Sequence, residues 1–343
     1  MSELDLRMAA EFREAPDVVR RQSQSLSAPV AALVARLERK PPVLVVTCAR
    51  GSSAHAATFA KHLIERHLGI PCAAAAPNIA SVYRRPLQLR DQLFLAVSQS
   101  GRSDDLVDFA IMAKAAGAHT AAMVNDPDSP LAAACEFVLP IAAGPERSVA
   151  ATKTFVATLA GLLRLIAAWT GNDALVSALG RLPDRLSAAT ELDWSAALGE
   201  LLQADSLVTI GRGPTLAIAR EAALKFKETS NLHAEAFSGA EFLHGPVSLV
   251  SDRYPVLMFL PTDAAADGLH ELAADLRRKG ASVFTTGAGV ASDGCLPAPA
   301  ADHPDTDAVC LIQSFYALAV QLARQRGTNV DQPRHLQKIT RTR

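Results

Sequence analysis

The chain has 343 residues, which at ~150 residues per domain is room for two domains, each able to bury a core of its own. Its 34 Lys and Arg offset 35 Asp and Glu to a formal charge of -1, so there is no basic excess to draw in a phosphate backbone and a dedicated nucleic-acid binder is not expected. Hydrophobic residues make up 49%, but the long apolar stretch 159–169 is broken by Arg164 and falls short of the ~20 residues of a membrane span, so a soluble protein with no membrane partner is expected.

In chain order, Met1-Ser-Glu-Leu-Asp-Leu-Arg7 places acidic residues early and lacks the apolar core of a signal peptide, which predicts a cytoplasmic location. Residues 1–40 read as an N-terminal helical arm with one clear helical stretch over 4–21. From there, short apolar runs alternate with stretches of helical period. Strands are predicted over 43–47, 93–97, 120–124, 207–210, 256–260 and 283–286. Helices are predicted over 54–67, 104–116, 149–169, 215–229, 264–279 and 308–326. That alternation is the pattern of βα units, and the fold class it predicts is α/β with doubly wound parallel sheets flanked by helices. Cys48, Cys72, Cys135, Cys295 and Cys310 are odd in number and widely spaced, without a C-x-x-C pair, and are expected to be buried free thiols.

The units repeat. Val46-Thr-Cys-Ala-Arg-Gly51 overlies Val208-Thr-Ile-Gly-Arg-Gly213 at a shift of 162, and Ala116-Gly-Ala118 overlies Lys279-Gly-Ala281 at a shift of 163. Two anchors with nearly one shift predict duplicated domains, 41–185 and 195–326, with a seam between Gly171 and Trp194 and a tail over 327–343. The halves differ after their buried strands: the first has Ser98-Gln-Ser-Gly-Arg-Ser-Asp-Asp105, the second Pro261-Thr-Asp-Ala-Ala-Ala266. A single composite site with divided labour is expected.

In an open parallel sheet, ligands sit beyond the carboxyl ends of strands, near helix N-termini whose N–H groups favour anions. Arg50-Gly-Ser-Ser53 and Ser98-Gln-Ser-Gly-Arg-Ser103 both occupy such places. One such loop alone reads as helix capping by Ser. Two in one half, with four or more hydroxyls, turn the reading toward a phosphate cradle. Walker A is absent, Gly211-Arg-Gly213 lacks the third glycine of a dinucleotide fingerprint, and the residue four after His270 is Ala274 rather than a second His. A small metabolite phosphate is therefore expected, with no metal and no cofactor.

On the helix from Thr215, Glu221, Lys225 and Glu228 stand at i, i+4 and i+7, on one face. In isolation such a trio is a solvated salt-bridge row. Its apolar neighbours Ala222, Leu224 and Phe226, and its continuation into His233-Ala-Glu-Ala-Phe237 and His244-Gly-Pro246, favour chemistry, although a single histidine such as His233 by itself reads as structural. The polar tail from Asp331 reads, by itself, as a disordered end.

These residues resemble the sugar isomerase (SIS) domain family, and within it the isomerase half of glutamine–fructose-6-phosphate amidotransferase and its stand-alone relatives. The resemblance is carried along the whole chain by Met8-Ala-Ala-Glu-Phe-Arg-Glu-Ala-Pro16, Ser98-Gln-Ser-Gly101, Glu146-Arg-Ser-Val-Ala-Ala-Thr-Lys153, Glu221-Ala-Ala-Leu-Lys-Phe-Lys-Glu228, His233-Ala-Glu-Ala-Phe237, His244-Gly-Pro246 and Asp331-Gln-Pro-Arg334. It implies two tandem SIS domains. It also implies that Gly51, Ser52, Ser53, Ser98, Gln99, Ser100 and Ser103 form a sugar-phosphate site over which the Val149 to Ala151 loop closes. Glu228 is implied as the base between C1 and C2, Lys225 as a stabiliser of the enolate-like intermediate, and Lys338 as the lysine that forms a Schiff base with the open-chain ketose. His244 is implied as the ring-opening histidine contributed by the neighbouring subunit of a homodimer.

The chemistry is coherent: one carboxylate moves a proton between adjacent carbons, a histidine with a reference pKa of ~6.5 gives and takes one near neutrality, and a lysine amine attacks a carbonyl or imine. The first loop reads Arg50-Gly-Ser-Ser where the synthase has Cys-Gly-Thr-Ser, and Ala151 stands in place of a Ser; Ala49-Arg-Gly-Ser-Ser53 is similar to the stand-alone deaminases. Residue 2 is Ser rather than a cysteine nucleophile and only about 40 residues precede the first strand, so glutamine is not expected as nitrogen donor. The expected activity is deamination of glucosamine 6-phosphate to fructose 6-phosphate and ammonia. A fructosamine-phosphate deglycase, a galactosamine-6-phosphate deaminase and a non-catalytic sugar-phosphate sensor are the alternatives.

Overall fold

A computed structural model describes residues 6–287 and 294–338. Parts of the expected arm 1–40, of its helical stretch 4–21, of the domain 195–326 and of the tail 327–343 lie outside the described residues. In chain order the elements are α1 (Arg7–Arg13), α2 (Ala15–Arg39), β1 (Val45–Cys48), α3 (Gly51–Leu68), β2 (Cys72–Ala74), α4 (Asn78–Ser81), β3 (Leu93–Ser98), α5 (Asp104–Ala115), β4 (His119–Val124), α6 (Pro130–Ala134) and β5 (Phe137–Pro140). They continue as α7 (Lys153–Thr170), α8 (Asp173–Thr190), α9 (Leu198–Gln203), β6 (Ser206–Gly211), α10 (Thr215–Ser230), β7 (His233–Ser238), α11 (Gly239–Phe242), β8 (Pro255–Phe259), α12 (Asp267–Arg278), β9 (Ser282–Gly287), β10 (Cys295–Pro297) and α13 (Pro304–Gln325).

The strands form two five-stranded, all-parallel sheets, which is the expected α/β class. One has the order β2-β1-β3-β4-β5; the other, taken from its far edge, runs β7-β6-β8-β9-β10. The strand order is the same in both, in keeping with the duplication read from the two sequence anchors. β1, β3 and β4 are buried along their whole lengths, as strands covered by helices on both faces must be, and their apolar runs made them legible in the sequence. β2, β5 and β10 are sheet edges of three or four residues with mixed burial, and no run or alternation marks them.

The chain divides into two compact units. Among the described residues, the β1–β5 unit comprises 17–146, 153–179 and 337–338; the β6–β10 unit comprises 6–16, 147–152, 180–287 and 294–336. The core of the β1–β5 unit includes a stacked pair, Phe94 and Phe109, with ring centroids 5.3 Å apart. In the β6–β10 unit, Phe226 of α10 meets Phe315 of α13 edge to face at 5.1 Å. Full burial of each such ring stabilises by about 1.5–3 kcal/mol, and this packing fixes α10 against its unit's core.

Several element boundaries differ from the sequence reading. The helical arm continues through Arg39, with Pro29 accommodated inside it. α3 begins at Gly51 rather than residue 54, so Ser52 and Ser53 lie in its first turn. α7 begins at Lys153 rather than 149, and Val149 and Ala151 lie in the preceding loop. The segment between Gly171 and Trp194 holds an 18-residue helix, α8, with Pro183 inside it rather than a break. The stretch around 159–169 is also longer than it looked: Lys153–Thr170 and Pro304–Gln325 are both long and apolar enough to cross a membrane, but 78% and 89% of these windows are buried inside the protein.

Candidate functional site

In the β1–β5 sheet, the chain turns one way from β1 to β2 and the other way from β1 to β3, and crevices for ligands open at such switch points. The two hydroxyl-bearing loops predicted from the sequence leave the carboxyl ends of these two adjacent strands. Gly51 adopts φ 54° with open space where a Cβ would stand, so it is the backbone conformation that calls for glycine there. Ser52 and Ser53 follow in the first turn of α3, an 18-residue helix whose N-terminal dipole and N–H groups favour an anion. In the second loop, Ser98 Oγ accepts from Gly101 N at 3.1 Å and Ser100 Oγ accepts from Arg102 N at 3.3 Å. Ser103 is the N-cap residue of α5, but its side chain makes no capping hydrogen bond.

One contact ties these two loops to each other and two more brace the second loop against its neighbours, and the sequence did not single out any of them. Arg50 donates to Asp105 Oδ2 from two nitrogens, at 2.6 and 3.0 Å, tying the β1 loop to the start of α5. Gly101, at φ 63°, packs so tightly that a Cβ would sit 2.1 Å from Ser129 Oγ. Asn125, just beyond β4, donates its backbone N–H to Gln99 O at 3.1 Å and bridges Ala143 N and Gly144 O with its side chain, both at 2.8 Å.

The loop after β5 ends at Glu146, whose carboxylate is buried. It accepts from Thr154 N at 3.2 Å, from Thr154 Oγ1 at 2.7 Å and from Lys338 Nζ at 2.9 Å. The tail lysine is thus seated within the β1–β5 unit, which overrules a disordered end for the tail up to that residue.

In the β6–β10 unit, the short segment carrying Val149 and Ala151 is held from both chain ends. Glu11, buried on α1, accepts from Arg147 N and Ser148 N at 2.5 and 3.1 Å, while Val149 N donates to Asp331 O at 3.3 Å. The Asp331 carboxylate in turn accepts from Arg7 N and Met8 N, each at 2.9 Å. The first and last motifs that carry the family resemblance are therefore joined by hydrogen bonds, a link no local sequence pattern could reveal.

α10 presents the predicted trio on one face. Lys225 lies 3.2 Å from Glu221, with both side chains wholly buried, and donates a short hydrogen bond to Glu228, whose side chain remains 20% exposed. Burial alone would push the Lys225 pKa down, but the charges of Glu221 and Glu228 outweigh it and the net shift is upward, so the ammonium form is the one held in place. This is not a solvated salt-bridge row: two charges are inside and one carboxylate reaches solvent. His233 is exposed, at the head of β7. His244 is exposed in a turn that follows α11, between the exposed Leu243 and Gly245 at φ 136°. Among the described residues no cluster of three or more His, Cys, Asp or Glu side chains is arranged to hold a metal ion.

The SIS domain pattern matches residues 44–168 and 200–289, more than half of the chain and all strands of the two sheets except β10. The chain belongs to the SIS domain family. This SIS protein is 32% identical to the isomerizing glutamine–fructose-6-phosphate aminotransferase of Zymomonas mobilis, over 96% of its own length and 58% of that protein. It is 36% identical to the corresponding protein of Symbiobacterium thermophilum, over 86% of its own length and 51% of that protein. The SIS chain thus spans a little over half the length of these curated relatives. Among solved structures, it superposes with a TM-score of 0.91 and 44% identity on a protein of Silicibacter pomeroyi provisionally described as a phosphosugar isomerase, covering 95% of this chain and 100% of that one. The C-terminal domain of the glucosamine-fructose-6-phosphate aminotransferase of Francisella tularensis matches at TM-score 0.82 and 25% identity, covering 95% of this chain and 98% of that one. Glucosamine-6-phosphate deaminase of Thermotoga maritima shares the SIS fold at TM-score 0.77 and 22% identity, covering 98% of this chain and 100% of that one.

Proposed function

We propose that this SIS protein is a phosphosugar isomerase that deaminates glucosamine 6-phosphate to fructose 6-phosphate and ammonia. The observation that carries the reading is the state of Glu228: a carboxylate with its outer part in solvent, fixed from behind by the wholly buried Lys225. A carboxylate held in one place is what a proton transfer between two adjacent carbons requires. The hydroxyl-lined helix N-termini at Gly51–Ser53 and Ser98–Ser103 supply an anion site for the phosphate, and the names of the relatives point to phosphosugars as the class.

In this reading His244 opens the sugar ring. Glu228 then removes the C2 proton of the open-chain amino aldehyde and returns a proton to C1, while the C1 oxygen takes up a proton and the C2 amine gives one up, which leaves a hydroxyl at C1 and an imine at C2. Lys338 Nζ adds to that imine carbon, ammonia departs as the C2–N bond to the substrate nitrogen breaks, and water releases the ketose from the lysine. Lys225 keeps its positive charge beside the carboxylate throughout. The sugar identity rests on the Arg50-Gly-Ser-Ser loop, which is similar to that of stand-alone deaminases. His244, its neighbour Leu243 and, five residues on, Leu249 are all exposed, the two leucines at 53% and 51%, which supports a homodimer in which this histidine serves the neighbouring subunit.

The test is release of ammonia and fructose 6-phosphate from glucosamine 6-phosphate with no glutamine, metal or nucleotide added, alongside galactosamine 6-phosphate and a fructosamine phosphate. Equal release of both products from the first substrate is expected, and Glu228→Gln should abolish it while substrate still binds. Turnover of another substrate only would change the sugar or leaving group; binding with no turnover of any would make the protein a sensor.

A further inference from the structure

We propose that Glu146 is the positioning residue for Lys338, holding the tail lysine in the orientation from which it acts. The proposal rests on the reading in which Lys338 forms an imine with the substrate. The Glu146 side chain exposes no surface, whereas that of Lys338 is 24% exposed. A buried carboxylate calls for an opposite charge, and the ammonium at 2.9 Å supplies it.

The geometry makes the carboxylate a rigid mount. Oε1 accepts the backbone N–H of Thr154, and Oε2 accepts the Thr154 hydroxyl as well as Lys338 Nζ. Thr154 lies in the first turn of α7, and 14 residues of that helix are buried, so the oxygens are oriented by a helix that is itself fixed. A negative charge at that helix end is also favoured by its dipole. Lys338, by contrast, belongs to a polar tail and lies beyond the last helix among the described residues, so its own backbone gives its four-carbon arm little guidance. Separated by 192 positions in sequence, the two residues meet only because the tail is folded back.

Glu146→Gln keeps the size of the side chain and removes its charge. In substrate-free protein, acylation of Lys338 measured against exposed Lys227 by peptide mass spectrometry should accelerate about tenfold, the scale of one charge-assisted hydrogen bond. With substrate, borohydride trapping of fructose 6-phosphate on Lys338 and kcat should both fall about tenfold, with KM changing far less because the phosphate loops are untouched. Glu146→Asp should restore part of kcat, while a thermal melt within a few degrees of wild type separates positioning from a folding defect. Unchanged labelling of Lys338 in Glu146→Gln overturns the proposal. Faster labelling with unchanged trapping and kcat overturns it too, because the pair would then only pin the tail. If the wild type turns over none of the phosphosugars while labelling still accelerates in the variant, the functional assignment falls and the seat of Lys338 on Glu146 stands.

Discussion

Lys225 Nζ stands 3.2 Å from a carboxylate oxygen of Glu221, and neither side chain exposes any surface. Two opposite charges removed together from water are stable only as a unit, and this unit faces the partly exposed Glu228. Replacing the lysine alone leaves the Glu221 carboxylate buried without that ammonium. Lys225→Met should therefore lower unfolding free energy by about 3–5 kcal/mol, and the double variant Glu221→Gln/Lys225→Met should recover much of the loss. Urea denaturation of wild type, single and double variants checks this; a double variant as unstable as the single one would show that the pair is not the coupled unit.

The same pair sets a pH dependence with a defined sign. The folded-state pKa of Lys225 lies above the ordinary lysine value of 10.5 because Glu221 and Glu228 outweigh the opposing effect of burial. The folded state therefore holds this proton more tightly than the unfolded chain. The resulting stability is fully present below 10.5 and is lost as pH rises through the folded value. The difference in unfolding free energy between wild type and Lys225→Met should be flat through the neutral and mildly alkaline range and shrink above about pH 10.5. A difference that shrank already near neutrality would contradict the raised pKa.

Ser103 separates capping from ligand binding. A serine that caps a helix loses about 1 kcal/mol on change to alanine, but the Ser103 hydroxyl makes no capping bond to α5. Ser103→Ala should leave stability within about 0.5 kcal/mol, while Ser100→Ala/Ser103→Ala raises KM for the phosphosugar with kcat changed less. Gly101→Ala should damage both, because φ 63° and a Cβ placed 2.1 Å from Ser129 Oγ displace the loop. Steady-state kinetics beside thermal melts distinguish these outcomes; unchanged KM in the double serine variant would remove the phosphate site.

Asp331 caps a helix from the opposite end of the chain. The N-cap residue of α1, Leu6, has no capping side chain, and the Asp331 carboxylate takes the Arg7 and Met8 N–H groups instead. Asp331→Ala should destabilise by about 1–2 kcal/mol, the range of a lost helix cap, and should speed hydrogen exchange at Arg7 and Met8. Unaltered exchange at those two amides would show that the contact does not hold in solution.

Local pattern carried much of this protein. The buried runs of β1, β3, β4, β6, β8 and β9 are apolar because helices cover both faces of a parallel sheet, and the two shifted anchors reflect two sheets of one topology. The spacing of Glu221, Lys225 and Glu228 placed them on one face of α10 because a helix repeats every 3.6 residues. The short edge strands β2, β5 and β10 were not legible, since three or four half-buried residues make neither a run nor an alternation. A helix through Pro183 was also missed, and within the expected arm the clear helical stretch was set only at 4–21 although the helix runs on through Pro29, since a proline interrupts local helical pattern while packing elsewhere along the helix sustains it.

What the sequence by itself determined was the α/β class, the duplication, the hydroxyl-bearing loops and the one-faced trio, all of which depend on residues close along the chain. Only the tertiary structure decided that Lys225 and Glu221 are buried while Glu228 reaches solvent, that Arg50 grips Asp105, that Glu11 holds the loop before Val149, and that Glu146 seats Lys338. Each of these joins groups through burial or across long sequence separations. Their energies arise from desolvation and from directed hydrogen bonds, and both exist only once the chain has folded.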